Sequence, residues 1–380
     1  MRHVFLHLGD FHLAPGVRRE DKLIAVSDAM ARGLELVREN ELAGWLWPGD
    51  LFHAKSTIDD RNTLASILMS MAEMAPVLIV PGNHDVPGDL AIFGRMESSH
   101  PIIVQSDSQV IKIVTATGQD AYIFCLPYVH RGTFVAEGIE PSEVASHAKE
   151  LLKPLLTEAA DRLSKARRDG GIALAIGHIN VADSVSSVGQ PQVGKEIELD
   201  AELLAPFGCY VGLNHIHRHQ VVHGAVYAGS MCRMDFGENE PKGFVEVTYT
   251  DEGDGYRMVW RFCELDVPAQ YLIEGELTAS QFEYLVPEGC GEEFWVGADV
   301  RARYRYRRAD AAFIDTDLVT GSFPGCRSLK LEPVPEHEVE VRAPEVAQAS
   351  TLEAKVQAYC KLAKVEWTDG LGEKVSQVQQ

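Results

Sequence analysis

Five short motifs constrain this chain more than any other feature of its sequence. Each brings carboxylate, amide or imidazole groups to the end of an apolar run. They are GDFH (9–12), GDLFH (49–53), GNHD (82–85), GH (177–178) and NHIH (214–217). The runs that precede them, VFLHL (4–8), GWLW (44–47), VLIV (77–80), IALAI (172–176) and CYVGL (209–213), all read as strands. Strand ends in open α/β sheets converge on one edge, where ligands bind. Groups far apart in sequence are therefore expected to meet in space.

Helical periodicity fills the gaps between the first strands. Leu23, Val26, Met30, Leu34 and Val37 recur at spacings of three and four, and residues 59–74 repeat the pattern through Leu64, Ile67, Leu68 and Met71. This βαβαβ opening favours an α/β sheet with right-handed crossovers. Further strands are expected at 102–104, 110–114, 121–126, 220–228 and 244–249, with a long helix over 141–168. Two sheets packed face to face with helices outside account for the order. Residues 268–335 read as strand (YLIEGEL), helix (TASQFEYLV), strand (WVGADVRARYRYR), helix (AAFIDTDLV) and strand (CRSLKLEPV), a small α+β domain. Residues 336–350 look like a linker, and 351–367 form a helix with Leu352, Val356, Tyr359, Leu362 and Ala363 on one face. The expected organisation is a catalytic domain over 1–265, an accessory domain over 266–335, that linker, and a C-terminal helix and tail over 351–380.

Composition sets limits. The 380 residues call for more than one minimal core. No apolar run approaches the roughly 20 residues of a membrane span, and the N-terminus turns polar too early for a signal peptide. Seven scattered cysteines without a CxxC pair read as reduced thiols of a cytoplasmic protein. The net charge of −21 argues against a simple basic nucleic-acid binder. It leaves room for nucleic acid held through bound cations or one basic patch.

The motif residues suit a particular chemistry. Hard carboxylate and amide oxygens mixed with imidazole nitrogens match Mn²⁺, Fe or Zn²⁺ better than thiol-loving metals. Two such ions clamp a phosphate and stabilise both the attacking and the leaving oxygen. A pair of ions needs one shared ligand, and Asp50 is the candidate. A single DxH or HxH arises by chance, and a lone histidine is more often packed or on the surface. The complete, ordered set is what favours the functional reading, with the Gly-His motif of His178 its weakest member.

The order DxH, GDxxx, GNHD, GH, HxH resembles the calcineurin-like metallophosphoesterase superfamily. Downstream, LPYVHR (126–131), HIHRHQ (215–220), YAGSMCRMDFGE (227–238) and KGFVEV (242–247) look like the SbcD-type DNA-repair exonucleases, the nuclease subunits that work with SbcC-type coiled-coil ATPases. That resemblance covers about residues 1–265. It implies a two-sheet sandwich flanked by helices with a capping domain. It also implies Asp10, His12, Asp50 and His217 around one ion and Asp50, Asn83, His178 and His215 around the other. His84 would be the catalytic, non-ligand histidine, and His53 would help orient it or the substrate strand. Manganese is the preferred metal by the same resemblance, with Mg²⁺, Fe or Zn²⁺ as alternatives. DNA is the implied substrate, an SbcC-type ATPase the implied partner, and a homodimer the implied assembly. Family members usually carry Gly where this chain has Asn214. Asn is the next most tolerant residue of a positive φ, and it also offers an extra hydrogen bond near the ligands.

Other histidines read as bystanders: His219 and His223 as structural or surface groups, and His3, His7, His100, His130, His147 and His337 as groups without supporting context. Asp85 is expected to hold the GNHD loop by hydrogen bonds. In RARYRYRR (301–308), Arg301, Arg303, Arg305 and Arg307 share one strand face and Tyr304 and Tyr306 the other. This is either a solvated face over a packed one or a phosphate-contacting surface that guides DNA. Two rival functions stand beside the nuclease reading: a small-nucleotide phosphodiesterase, which needs no accessory domain, and a non-catalytic scaffold for the ATPase, which would tolerate decayed ligands.

Overall fold

The computed structural model describes the chain apart from residues 16, 17, 87, 191–195, 288, 292, 337–343, 379 and 380. His337 and half of the expected linker fall outside the described residues. Two compact units are present. The first comprises Met1–Leu272, Gly289–Arg301 and Phe323–Lys330, and the second Ile273–Glu288, Ala302–Ser322 and Leu331–Gln380.

In chain order the first unit runs β1 (Arg2–Leu8), α1 (Arg19–Arg38), β2 (Leu42–Trp47), α2 (Ile58–Ala72), β3 (Val77–Ile79), β4 (Ile102–Val104), β5 (Gln109–Val114) and β6 (Asp120–Leu126). It continues through α3 (Arg131–Ala136), α4 (Val144–Arg168), β7 (Ile172–His178), β8 (Asn180–Val181), β9 (Glu198–Leu199) and β10 (Tyr210–Asn214). Last come β11 (Gln220–Val222), β12 (Ala225–Tyr227), β13 (Gly243–Asp251) and β14 (Tyr256–Glu264). One six-stranded sheet has the order β14-β13-β1-β2-β3-β4, the other β11-β12-β10-β7-β6-β5.

The two-residue period of the strands builds the layers. Val4, Leu6 and Leu8 of β1 face α1 and α2, together with Trp45, Trp47, Val77 and Ile79. Phe5, Leu46, Leu78, Ile123, Leu174, Ile176, Tyr210, Val245 and Val247 fill the space between the sheets. On the far side of the second sheet, Phe124, Ala173, Ala175, Val211 and Leu213 pack against Ala148, Leu152, Leu156, Ala159 and Leu163 of α4. The expected two-sheet α/β sandwich flanked by helices is observed. Helix α2 starts on a capping box: the Thr57 hydroxyl accepts from the Asp60 N–H at 3.1 Å and the Asp60 carboxylate accepts from the Thr57 N–H at 3.1 Å. Such a cap contributes about 1 kcal/mol.

Several expectations need correction. Helix α1 buries Ala25, Val26, Ala29, Gly33 and Leu36, while Leu34 and Val37 are exposed. Its inward stripe carries no side chain at Gly33 because the sheet presents a tryptophan there: a Cβ at Gly33 would lie 2.3 Å from the Trp45 ring. The stretch 220–228 is a tight hairpin of two strands, β11 and β12, and β14 was not anticipated.

The remaining elements are β15 (Gln270–Leu277), β16 (Phe282–Tyr284), β17 (Asp299–Arg307), α5 (Asp317–Gly321), β18 (Ser328–Glu336), α6 (Pro344–Gln348), α7 (Leu352–Ala363) and α8 (Asp369–Val378). Four strands form a sheet of order β16-β15-β17-β18. The expected helix at 278–286 is instead a turn and the short edge strand β16. The Thr278 side-chain oxygen accepts from the Gln281 N–H at 3.2 Å, and the turned chain pairs Phe282 with Leu277 and Tyr284 with Gly275. The C-terminal helix stops at Ala363 rather than 367, because Lys364 adopts φ +55° and the Val365 N–H closes back on the Cys360 carbonyl at 2.9 Å. Helix α8 follows where a tail was expected. Within the nominated stripe of α7, Leu352, Tyr359 and Leu362 are exposed. All seven cysteines are free, and no helix among the described residues is long and apolar enough to cross a membrane.

Candidate active site

The five motifs meet at one edge of the sandwich because their loops are tied to one another by main-chain hydrogen bonds. The Phe11 and His12 N–H groups donate to the Asp50 carbonyl at 3.0 and 2.8 Å, and Leu13 to Leu51 at 2.8 Å. Asp10 donates to the Gly229 carbonyl at 2.9 Å and accepts from the Met231 N–H at 3.1 Å, joining the first motif to the segment after β12. Asp85 is buried and holds the GNHD loop as expected: its carboxylate accepts from the Phe52 N–H at 3.0 Å and the Gly82 N–H at 2.9 Å. His12, Asp50 and His215 adopt φ of +50°, +52° and +102°. Strained backbone of this kind gathers at functional sites. The motif glycines leave the room required. A Cβ at Gly49 would lie 2.1 Å from His178 Nδ1, and one at Gly82 would lie 2.2 Å from Asp50 Oδ1.

Asp50 lies at the centre. Its Oδ2 is 3.4 Å from His12 Nε2 on one side and 3.4 Å from His178 Nε2 on the other, and its Oδ1 accepts from the His84 N–H at 2.9 Å. Beyond His12, the Nε2 of His217 is 3.1 Å from the Nε2 of His12. Beyond His178, Asn83 Oδ1 is 2.8 Å from His178 Nε2 and 3.0 Å from His215 Nδ1. Asp10 is fully buried. Its Oδ2 accepts from the His215 N–H at 3.2 Å, while its Oδ1, 3.8 Å from His178 Nδ1, has no hydrogen-bond partner among the described residues. His84 and His53 stack with ring centroids 5.3 Å apart, and His84 Nδ1 meets the His53 carbonyl at 2.6 Å. That contact uses Nδ1–H as the donor and does not engage Nε2.

The electrostatics of this cluster call for cations. Burial, reinforced by the Asp50 charge, pushes the Asp10 carboxyl up. Burial also works against ionised Asp50, but His178 and His12 override it and hold that carboxyl below the usual range. His178, which burial alone would lower, is raised to about 9 by Asp50, Asp10 and the Pro48 carbonyl. Burial drives His12 and His215 the other way, to neutral imidazoles. Metal binding requires neutral imidazole and ionised carboxylate, so an ion bound here would take the place of the protons that His178 and Asp10 hold. Asp10, Asp50 and His178 together form a group of the size that holds an ion. The orphaned Oδ1 of Asp10 and two imidazole nitrogens aimed at one amide oxygen show that the residues present fit divalent ions. His12, His53 and His84 form a second such group. There His12 Nδ1 lies 3.4 Å from His53 Nδ1, on the side of the ring away from Asp50.

Among the described residues, motif reading missed four around this centre. Glu196 Oε2 lies 2.8 Å from His215 Nε2, Glu238 Oε1 lies 3.7 Å from His217 Nδ1, and Lys242 pairs with Glu238 at 2.7 Å. The Gln190 side chain donates to the His215 carbonyl at 2.6 Å and accepts from the His217 N–H at 3.2 Å. Glu238 and Lys242 fall inside segments singled out above, yet only the fold shows what they touch. Asn214 needs correction. Its φ is not positive; His215 carries that conformation. The fully buried Asn214 instead joins the sheets, with Oδ1 at 3.0 Å from His7 Nε2 and Nδ2 donating to the Leu8 carbonyl at 3.0 Å. His219 stacks on Phe262 with centroids 4.0 Å apart, and His223 pairs with Asp183 at the surface, as bystanders do.

The arginines of β17 belong to two units. In the first, Arg301 lies over the Phe236 ring, 4.3 Å from its centroid. In the second, Arg303 is gripped by Glu274 at 3.0 Å and Glu332 at 3.1 Å, while Arg305 and Arg307 are exposed. Ala302 and Tyr304 are buried on the opposite face.

The family described as calcineurin-like phosphoesterase matches residues 3–218, more than half of the chain. The chain is also similar to the SbcD subunit of the SbcCD nuclease of Bacillus subtilis (strain 168), at 22% identity over 335 residues that cover 81% of this chain and 84% of that protein. Among solved structures, TT1561 of Thermus thermophilus aligns with 68% of this chain and 99% of its own, at a TM-score of 0.37 and 11% identity.

Proposed function

The chain belongs to the calcineurin-like phosphoesterase family, and on that premise we propose that it is a DNA nuclease subunit that hydrolyses phosphodiester bonds at DNA ends with two divalent ions, manganese foremost. The observation that carries the two-ion reading is Asp50 Oδ2, equidistant from His12 Nε2 and His178 Nε2. Asp10, His12, Asp50 and His217 would hold one ion, and Asp50, Asn83, His178 and His215 the other. Two ions held by these residues would supply neutralisation of the phosphate charge and activation of a water for in-line attack. The protein's own groups do the rest. The His53 carbonyl fixes the ring of His84 by accepting from Nδ1–H, and in its imidazolium form His84 would give the Nε2 proton to the leaving alkoxide. The His53 ring, stacked on His84, restricts that ring's rotation and lines the path of the substrate strand.

DNA as substrate is supported by the reach of the likeness to the SbcD subunit, which extends well beyond the family's 3–218. Arg301, Arg303, Arg305 and Arg307 are proposed to guide the duplex, with exposed Arg305 and Arg307 the main phosphate contacts. The exposed stripe of α7 is proposed to dock on a coiled-coil ATPase in the helix-in-groove manner. Loss of co-purification on removing 344–380 is the expected result. Exposed Ile24, Leu34 and Val37 on α1 support a homodimer.

The decisive experiment is cleavage of end-labelled linear duplex and single-stranded DNA with Mn²⁺, Mg²⁺ or EDTA, alongside His84→Ala and with the ATPase added in a parallel arm. Metal-dependent degradation that vanishes in the variant is expected. Intact DNA in every arm, with a simple phosphodiester still cleaved, assigns the site to small nucleotides.

A further inference from the structure

Each histidine nominated as a ligand has one ring nitrogen turned into the cluster and the other turned away, and the partners of the outer nitrogens differ in kind. His178 Nδ1 meets a neutral acceptor, the Pro48 carbonyl, at 2.8 Å. His12 Nδ1 meets the neutral ring of His53. The two histidines of the NHIH motif face carboxylates instead. His215 turns Nδ1 to Asn83 and Nε2 to Glu196. His217 turns Nε2 to His12 and Nδ1 to Glu238. Neither His217 Nδ1 nor Glu238 Oε1 has a hydrogen-bond partner among the described residues, although both are buried and 3.7 Å apart.

We propose that Glu196 and Glu238 are positioning residues, one for each ion, that fix the tautomers of His215 and His217. The inference rests on the two-ion reading above. A carboxylate can only accept, so the nitrogen facing it carries the proton and the inner nitrogen presents a lone pair. His215 is thereby set to bind through Nδ1 and His217 through Nε2, opposite ends of the ring in histidines two residues apart. An anionic acceptor also makes the imidazole a better donor to a cation.

The two carboxylates are not equally held. Glu238 is fully buried, and a buried charge without compensation costs several kcal/mol. Lys242, itself 1% exposed, supplies the compensation: Nζ lies 2.7 Å from Glu238 Oε2 and donates at 3.0 Å to Glu240, 3.0 Å to Ser230 Oγ and 3.1 Å to the His217 carbonyl. The Met234 N–H donates to the same Oε2 at 3.0 Å. One lysine thus fixes both the carboxylate and the backbone of the histidine it faces, and leaves Oε1 as the oxygen free to accept from His217. Among the described residues Glu196 has no such clamp, and its side chain is 20% exposed.

The test is calorimetric titration of the metal-free full chain with Mn²⁺, which reads binding rather than turnover. Wild type is expected to take up two ions. Glu238→Gln and Glu196→Gln are each expected to weaken one of the two binding events by about 10- to 100-fold and to spare the other. Glu240→Gln, which also touches Lys242 but faces no ligand histidine, is expected to leave both events unchanged. Two events of wild-type affinity in both glutamine variants overturn the inference, as does a loss in Glu240→Gln equal to that in Glu238→Gln. If Glu238→Gln does not fold, the double variant Glu238→Gln with Lys242→Met removes both buried charges and must show the same one-site loss; two intact sites in it overturn the inference. Wild type that takes up no ion overturns the two-ion reading and this inference with it.

Discussion

At the edge shared by the two large sheets, Asp10, Asp50 and His178 are withdrawn from solvent, and their ionisation is set by one another. Along β17, by contrast, Arg303 is neutralised by two carboxylates and Arg305 and Arg307 reach into water. Both regions are dense in charge. In the first, desolvation multiplies every interaction, and the geometry is fixed by strained backbone and linked loops. In the second, solvent screens each charge and long side chains are free to rearrange. The contrast separates a place built for chemistry from a surface suited at most to steering.

The predictions that test this contrast begin with the buried cluster. Asp50→Asn removes the group both halves share, so metal content measured after dialysis should fall below two ions per chain and phosphodiesterase activity to background. His84→Ala should keep the ions and lower the rate by about 10²–10⁴-fold. Equal metal loss in the two variants would erase the division between ligands and acid.

The next effect is on stability. His7 is buried between the sheets, where desolvation lowers its pKa to about 3 from 6.5, against the opposing hydrogen bond that its Nε2–H donates to Asn214. The unfolded chain therefore binds a proton the folded one refuses. Stability is intact above the unfolded value and is lost as pH falls below it toward 3, by roughly 2 kcal/mol at pH 5 relative to pH 7. Denaturant melts at the two pH values should show that slope in wild type and a flatter one in His7→Gln.

The exposed region should respond more weakly. Arg305→Glu and Arg307→Glu should each reduce the slope of log binding constant against log salt by about 0.7–0.9 for duplex or single-stranded DNA. Arg303→Glu should change it less, because its charge is already compensated by Glu274 and Glu332. An equal effect from Arg303 would mean that the ion pairs open on DNA. Smallest of all, Arg303→Ala should shift stability by less than about 1 kcal/mol, the range of exposed ion pairs.

Much of the central fold was legible because its signals are local. Strands β1 to β3 and β7 were readable as apolar runs ended by Gly-containing motifs, and α2 as a periodic helix. Where reading failed, a distant partner decided. The inward stripe of α1 follows Ala25, Val26, Ala29, Gly33 and Leu36 rather than Leu34 and Val37, and at Gly33 Trp45 takes the space of a side chain. The stretch after Leu277 has helical composition, yet Thr278 turns it and β15 recruits it as an edge strand. Asn214 looked like a turn residue and proves to be an inter-sheet hydrogen bond, since the strain falls on His215.

By itself the sequence determined which groups gather at the cluster: carboxylate, amide and imidazole side chains placed at strand ends, in an order that only an α/β edge brings together. Those residues carry their chemistry wherever they are put, so their types and spacing sufficed. Only the tertiary structure decided how each is oriented and charged. The proton on His178, the ionisation of Asp50, the pairing of His215 with Glu196 and of His217 with Glu238, and the compensation of Arg303 all depend on atoms brought within about 4 Å from remote parts of the chain. Burial and Coulomb interaction at that range are properties of the assembled fold and of no local stretch of sequence.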